Sequence, residues 1–166
     1  MGAADDAAMK ALQSKIRYQF KDQMFLIRAM THASYSFDNN AALSVLGSSV
    51  IQSAISLRYI LSSSSIGKGD LYSKVAENSN CTVLSQDAFD LQLHELIRVA
   101  PKVNPKEKNI LCSCYHALFG AIGVDAKNLD IAKEKLWRRH GWNSTNIIQK
   151  QLMQEGLHLA GLDDME

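Results

Sequence analysis

"NNAALSVLGSSVIQSAISLRYIL", Asn39 to Leu61, is the stretch whose reading decides the fold. Leu43, Leu46, Val50, Ala54, Leu57 and Leu61 recur at helical spacing and form one apolar stripe. Gly47 follows Leu46 in the middle of it, with Ser44, Ser48 and Ser49 on either side. A glycine inside a helix costs propensity, so here it predicts close approach by a neighbouring element. The spacing predicts a helix from Ala41 to about Ser62, and nowhere along it is there a carboxylate to hold a metal or move a proton.

Outward from this helix the chain continues in the same period. Asp5 or Asp6 can cap a short helix to about Arg17, with Ala8, Leu12 and Ile16 at helical spacing. Asp22, just before Met24, Leu26, Ile27 and Met30, reads as an N-cap and helix. Residues 34–40 are polar and loop-like. "SSSSIGKGD" (62–70) is a loop, with Asp70 placed to cap the next helix. Two further helical stretches fill 71–98, broken near Asn78–Asn80. "APKVNPKEKN" (100–109) is a loop fixed by both prolines of the chain. A strongly apolar helix follows from Asn109 to Val124, in which Gly120 and Gly123 predict close packing. "NLDIAKEKLWRRHGW" (128–142) is a charged amphipathic helix with Gly141 in C-cap position. The tail from Asn146 is a final helix or a frayed end. Nothing alternates as a strand, and the expected fold class is all-α, in one domain.

Composition narrows the function classes. The net charge of +1 gives the chain no global attraction for nucleic acid, so such binding needs a local patch. No apolar run approaches the ~18 residues of a membrane span. Three cysteines, Cys81, Cys112 and Cys114, cannot all pair within the chain, which points to buried thiols in a reducing, intracellular compartment. The opening "MGAADDAA" has neither a secretory signal's apolar core nor a transit peptide's arginines, and it equally suits an organellar protein whose transit peptide has been removed.

"YQFKDQMFLIRAMTHASYSFDNN" (18–40) followed by "LSVLGSSVI" (43–51) resembles the opening of a ribonuclease III domain, with its A-(L/M)-T-H-x-S segment, an asparagine and the first signature helix. "GKGDLYSKVAENSN" (67–80) and "NILCSCYHALFGAIGVD" (109–125) resemble the segment between the signatures and the second signature helix. The resemblance covers residues 14–142, leaving 1–13 as an N-terminal extension and 143–166 as a C-terminal tail or helix. Within the family the pattern is most similar to plant ribonuclease-three-like proteins related to "nuclear fusion defective". It implies the ribonuclease III endonuclease-domain fold and a two-fold dimer through the first signature helix. Leu43, Val45, Leu46 and Val50 would then lie at the interface, with Val45 where the family often places an aromatic plug.

Departures from the family fall on its chemistry. Ser44 and Ser48 stand where its enzymes carry acidic metal ligands, and Ala41 replaces the first signature glutamate. Ser113 and His116 take the places of the second helix's Asp and Glu. Two-metal phosphodiester hydrolysis needs hard oxygen ligands, which neutral hydroxyls replace poorly, and histidine prefers softer ions. The expectation is a domain with no catalytic residues, no metal and no cofactor: not an enzyme. A Ser–His nucleophile pair lacks an orienting acid and a G-x-S-x-G elbow. Cys112 and His116 would share a helix face, but Cys114 would point away from it, so structural thiols are expected rather than a zinc site.

The remaining polar residues bear on partners. His32 and Ser34 of the T-H-x-S segment are expected to be structural hydrogen-bonding groups. Lys133, Lys135, Arg138 and Arg139 are candidate phosphate contacts, although Asp130 and Glu134 interleave with them as a solvated helix face would. Lys102, Lys106 and Lys108 are open to either role, and Trp137 and Trp142 are expected to pack. The function that follows is a catalytically inactive ribonuclease III-like domain that binds structured or double-stranded RNA by shape and acts as a dimeric accessory factor in RNA processing. Its partner would be a second copy or another ribonuclease III-like chain, with no membrane involved. The alternatives are a structural or partner-binding module without RNA affinity, and a residual metal-dependent endonuclease acting on double-stranded RNA.

Overall fold

The computed structural model describes residues 3–139. Among them the regular elements are helices: α1 (Ala3–Ile16), α2 (Gln23–Ala29), α3 (Ala41–Ser62), α4 (Lys68–Ser79), α5 (Cys81–Asp90), a 3₁₀ turn (Leu93–Glu95), α6 (Lys108–Ala126) and α7 (Leu129–Arg139). A single isolated bridge pairs Thr31 with Arg98. The all-α expectation is met. Gly141, Trp142 and the tail from 143 onward lie outside the described residues, as do the side chains of Trp137, Arg138 and Arg139.

Helix α6 forms the centre. Ile110, Leu111, Tyr115, Leu118, Phe119 and Ile122 point in different directions from its axis, and all are buried. A helix that is apolar all round is one that its neighbours enclose, and α2, α3, α5 and α7 pack around it. Helix α3 has the predicted span, and its inner face is Leu43, Gly47, Val50, Ile51, Ala54 and Ile55. The stripe expected in its second half is displaced: Ile51 and Ile55 turn inward, while Leu57 is 49% exposed. By length and composition α3 is apolar enough to cross a membrane, which corrects the expectation that no run approaches that limit. Its inner face is nonetheless committed to α6.

The glycines set how close α3 and α6 come. A Cβ on Gly47 would lie 1.7 Å from the His116 carbonyl oxygen, and one on Gly120 would lie 2.1 Å from that of Leu43. The two backbones touch directly, and only glycine at both positions permits it. At Gly123 a Cβ would meet Leu129 Cδ2 at 2.7 Å, so this glycine admits α7.

Helix ends agree with the sequence in part. Asp22 caps α2, accepting from the Met24 N–H, and Asn80 caps α5, accepting from Thr82 and Val83. That second cap is why the helical stretch breaks there. Asp5 and Asp6 fall inside α1 instead of preceding it. Asp70 sits in the first turn of α4, whose N-cap is Gly67. A carboxylate there still favours the positive end of the helix dipole.

The cysteines overturn an expectation. Cys81, the first residue of α5, and Cys112 of α6 form a disulfide with Cα atoms 5.2 Å apart, and Cys114 is the free, buried thiol. The expectation of buried, unpaired thiols therefore holds for Cys114 alone, and the disulfide removes the support it gave to a reducing compartment.

Candidate functional site at the crossing of α3 and α6

Two buried polar groups hold the frame of the site. Asp125, near the end of α6, accepts from the Tyr18 hydroxyl at 2.6 Å and from the backbone N–H groups of Lys21 and Asp22, each at 2.9 Å. Burial alone would raise its carboxyl pKa, but these donors hold it below the ordinary value. Burial and the bond to Asp125 push the Tyr18 hydroxyl up. Gln13 adds an acceptor for the Phe20 N–H at 2.8 Å, so the segment joining α1 to α2 is pinned at both ends. The sequence reading gave Asp125 no role. The available signal was a lone carboxylate on an apolar helix, which must be partnered if buried.

Asn40 performs the second fixing. It is buried just before α3, and its side-chain N–H groups reach the Ala29 carbonyl at 3.4 Å and Cys114 Sγ at 3.1 Å. Its backbone N–H donates to Thr31 at 2.9 Å. The T-H-x-S segment packs on residues 98–100 as well: the His32 N–H donates to the Arg98 carbonyl, His32 Nδ1 bonds Ser34 Oγ at 2.9 Å, and the Ala100 N–H donates to Ser34 Oγ at 3.1 Å. His32 and Ser34 are thus engaged in local structure.

The crossing at Gly47 and His116 sets the Ser44–Ser48 turn of α3 against the Ser113–His116 turn of α6. All four side chains are half-buried. Ser48 Oγ accepts from Gln52 Nε2 at 3.2 Å, and Ser113 Oγ donates to the Ile110 carbonyl at 3.1 Å. These hydroxyls are satisfied on their own helices rather than by one another. Burial lowers the His116 pKa, so the imidazole is neutral at pH 7. The four positions therefore carry no formal charge. Three hydroxyls and a neutral imidazole do not fit the hard, anionic donor set that Mg²⁺ needs. Among the described residues no group of three or more His, Cys, Asp or Glu is placed to share a metal ion. Cys112 is in the disulfide, and the Cys114 thiol, pushed up to about 12 by burial, bonds Asn40. A thiol so shifted is not a nucleophile at neutral pH.

The remaining candidate residues lie on α7 and on α3 itself. Lys133 pairs with Asp130 at 3.0 Å and Lys135 with Glu134 at 3.5 Å, all on α7. Of the stripe expected at an interface, Leu43 and Val50 are buried in this chain's own core, Leu46 is half-buried, and Val45 is 72% exposed.

Comparison with known proteins places this geometry. The ribonuclease-III-like family profile matches residues 22–137, and the chain belongs to that family. It is 39% identical over 140 residues to Protein NUCLEAR FUSION DEFECTIVE 2 of Arabidopsis thaliana, covering 82% of this chain and 72% of that one. It is 38% identical to Ribonuclease 3 of Delftia acidovorans over 71% of this chain but 54% of that protein, so it spans about half the length of this bacterial relative. The fold superimposes on the nuclease domain of ribonuclease III from Campylobacter jejuni with a TM-score of 0.76 and 26% identity, over 79% of this chain and 94% of that one. That structure was described for flexibility in a region involved in dimer formation.

Proposed function

We propose that residues 14–142 form a ribonuclease III-like domain that has lost metal-dependent cleavage and serves as a dimeric, RNA-binding accessory factor in RNA processing. The observation that carries this reading is the uncharged set Ser44, Ser48, Ser113 and His116 at the crossing of α3 and α6. Without anionic ligands, Mg²⁺ has nothing there to exchange its water for, and attack on a phosphodiester goes unassisted. The chain keeps the fold of a ribonuclease III nuclease domain, and shape is what a reader of A-form RNA uses. Lys133, Lys135, Arg138 and Arg139 are the proposed phosphate contacts. Lys133 and Lys135 would exchange their carboxylate partners on α7 for phosphate, so binding is weak and salt-sensitive. Val45 and Leu46 are the proposed contacts to a second ribonuclease III-like chain, with Leu43 and Val50 supporting them from the core.

The alternative, a partner-binding module without RNA affinity, is favoured by one observation: Val45, Leu57 and Ile60 of α3 and Tyr72 of α4 are exposed apolar side chains. The test is fluorescence anisotropy with a labelled RNA duplex of ~20 base pairs and Mg²⁺ at low and physiological salt, with a gel of the same samples. Saturable, salt-dependent binding to intact RNA supports the proposal. No binding at low salt leaves the partner module, and cleavage shows that the lost carboxylates were dispensable.

A further inference from the structure

The loop from His32 to Asn39 is ordered by its own hydrogen bonds. The Tyr35 N–H donates to the His32 carbonyl at 2.9 Å, and the Asn39 side chain donates to the carbonyls of Ser36 and Phe37 at 3.0 and 2.9 Å. Arg28 Nε donates to the Asn39 carbonyl at 3.0 Å, and Arg28 pairs with Asp38 at 3.0 Å. Yet this fixed loop turns its two aromatic rings into solvent: Phe37 is fully exposed and Tyr35 is 56% exposed. The loop is also tied to its neighbour, through the Thr31–Arg98 bridge and the bond from Ala100 N–H to Ser34. That neighbouring loop runs into Lys102, Lys106 and Lys108, all exposed and none ion-paired among the described residues, with Glu107 the one anion beside them.

Exposed π-faces on a fixed loop beside unneutralised cations are suited to nucleotides whose bases are free to stack. Bases within a duplex have their faces covered by their neighbours, and unpaired bases do not. We propose that the Tyr35–Phe37 loop and the Lys102–Lys108 loop together bind an unpaired stretch of RNA flanking a duplex, the rings stacking on bases and the lysines contacting phosphates. A fixed loop backbone matters here, because only the rotamer freedom of the two rings is then lost on binding.

This inference rests on the RNA-binding reading, and one experiment separates the two. Anisotropy would be measured for the wild-type chain and the Tyr35→Ala/Phe37→Ala variant, on a blunt duplex, on the same duplex with an unpaired 3′ tail of about six nucleotides, and on that tail alone, a span within the range of small single-strand sites. Both substitutions are on exposed side chains and leave the core intact. The expected result is roughly tenfold tighter binding of the tailed duplex by the wild type, a preference lost in the variant while affinity for the blunt duplex is unchanged. Equal wild-type affinity for tailed and blunt duplex overturns this inference and leaves duplex binding standing. A variant that loses both affinities together, or loses self-association instead, also overturns it. Binding of the tail through the rings without duplex binding upholds the loop and overturns the duplex reading. Binding of none of the three overturns both.

Discussion

Replacing Cys81 by serine removes the covalent tie between α5 and α6 and leaves every helix its own hydrogen bonds. The bond joins residues 31 apart in sequence, closing a loop that contains α5, the 3₁₀ turn and the long connection to α6. For a closed loop of about that length, the chain-entropy relation gives roughly 12 cal/mol/K, or about 3.7 kcal/mol at 25 °C, by which the open chain gains freedom on unfolding. Cys81 is only half-buried, so a serine there adds little packing loss. Against a total stability of about 5–15 kcal/mol this is a large fraction, and for a chain of this size it corresponds to a fall in Tm of about 10 °C. Thermal unfolding followed by circular dichroism, with and without dithiothreitol, checks it. The wild type should lose about 10 °C on reduction and meet the Cys81→Ser variant, whose Tm should not respond. Alkylation of the denatured, unreduced chain should label Cys114 alone. Three labelled thiols, or a Tm indifferent to reductant, would refute the reasoning.

Three further outcomes follow from the same structure. Asp125→Ala strips the acceptor from Tyr18, Lys21 and Asp22 and should cost about 3 kcal/mol in urea denaturation, as losing the charged partner of buried donors does. Gly47→Ala drives a Cβ into the His116 carbonyl, so α3 and α6 must separate; a loss of about 3 kcal/mol or more is expected, seen as a lowered urea midpoint or an insoluble chain. His116 has a folded-state pKa below its ordinary 6.5, so the unfolded chain takes up the proton first. Stability is therefore unaffected by this group above about pH 6.5 and falls as pH drops below it. His116→Asn should flatten that part of a Tm profile between about pH 5 and 7, and an unchanged slope would show that the imidazole is not desolvated.

Much of the molecule was decided by the sequence alone. The span of α3, the Asp22 cap and the break at Asn80 follow from interactions among near neighbours along the chain. A local cap or helical stripe shows itself within four residues of its cause. Family membership was legible for a related reason, since the signature segments keep their order and spacing. Other features exist only once distant elements meet. The Cys81–Cys112 pair depends on the packing of α5 on α6. The buried role of Asp125 depends on the Tyr18–Asp22 segment arriving beside it, more than 100 residues away in sequence. The inward turn of Ile55 in place of Leu57 depends on the path of α3 over α6. The lowered pKa of His116 belongs to the same class. The sequence names an imidazole, and only its burial beside the crossing helices shifts its pKa below the ordinary value, because the cost of charging a group is set by what surrounds it.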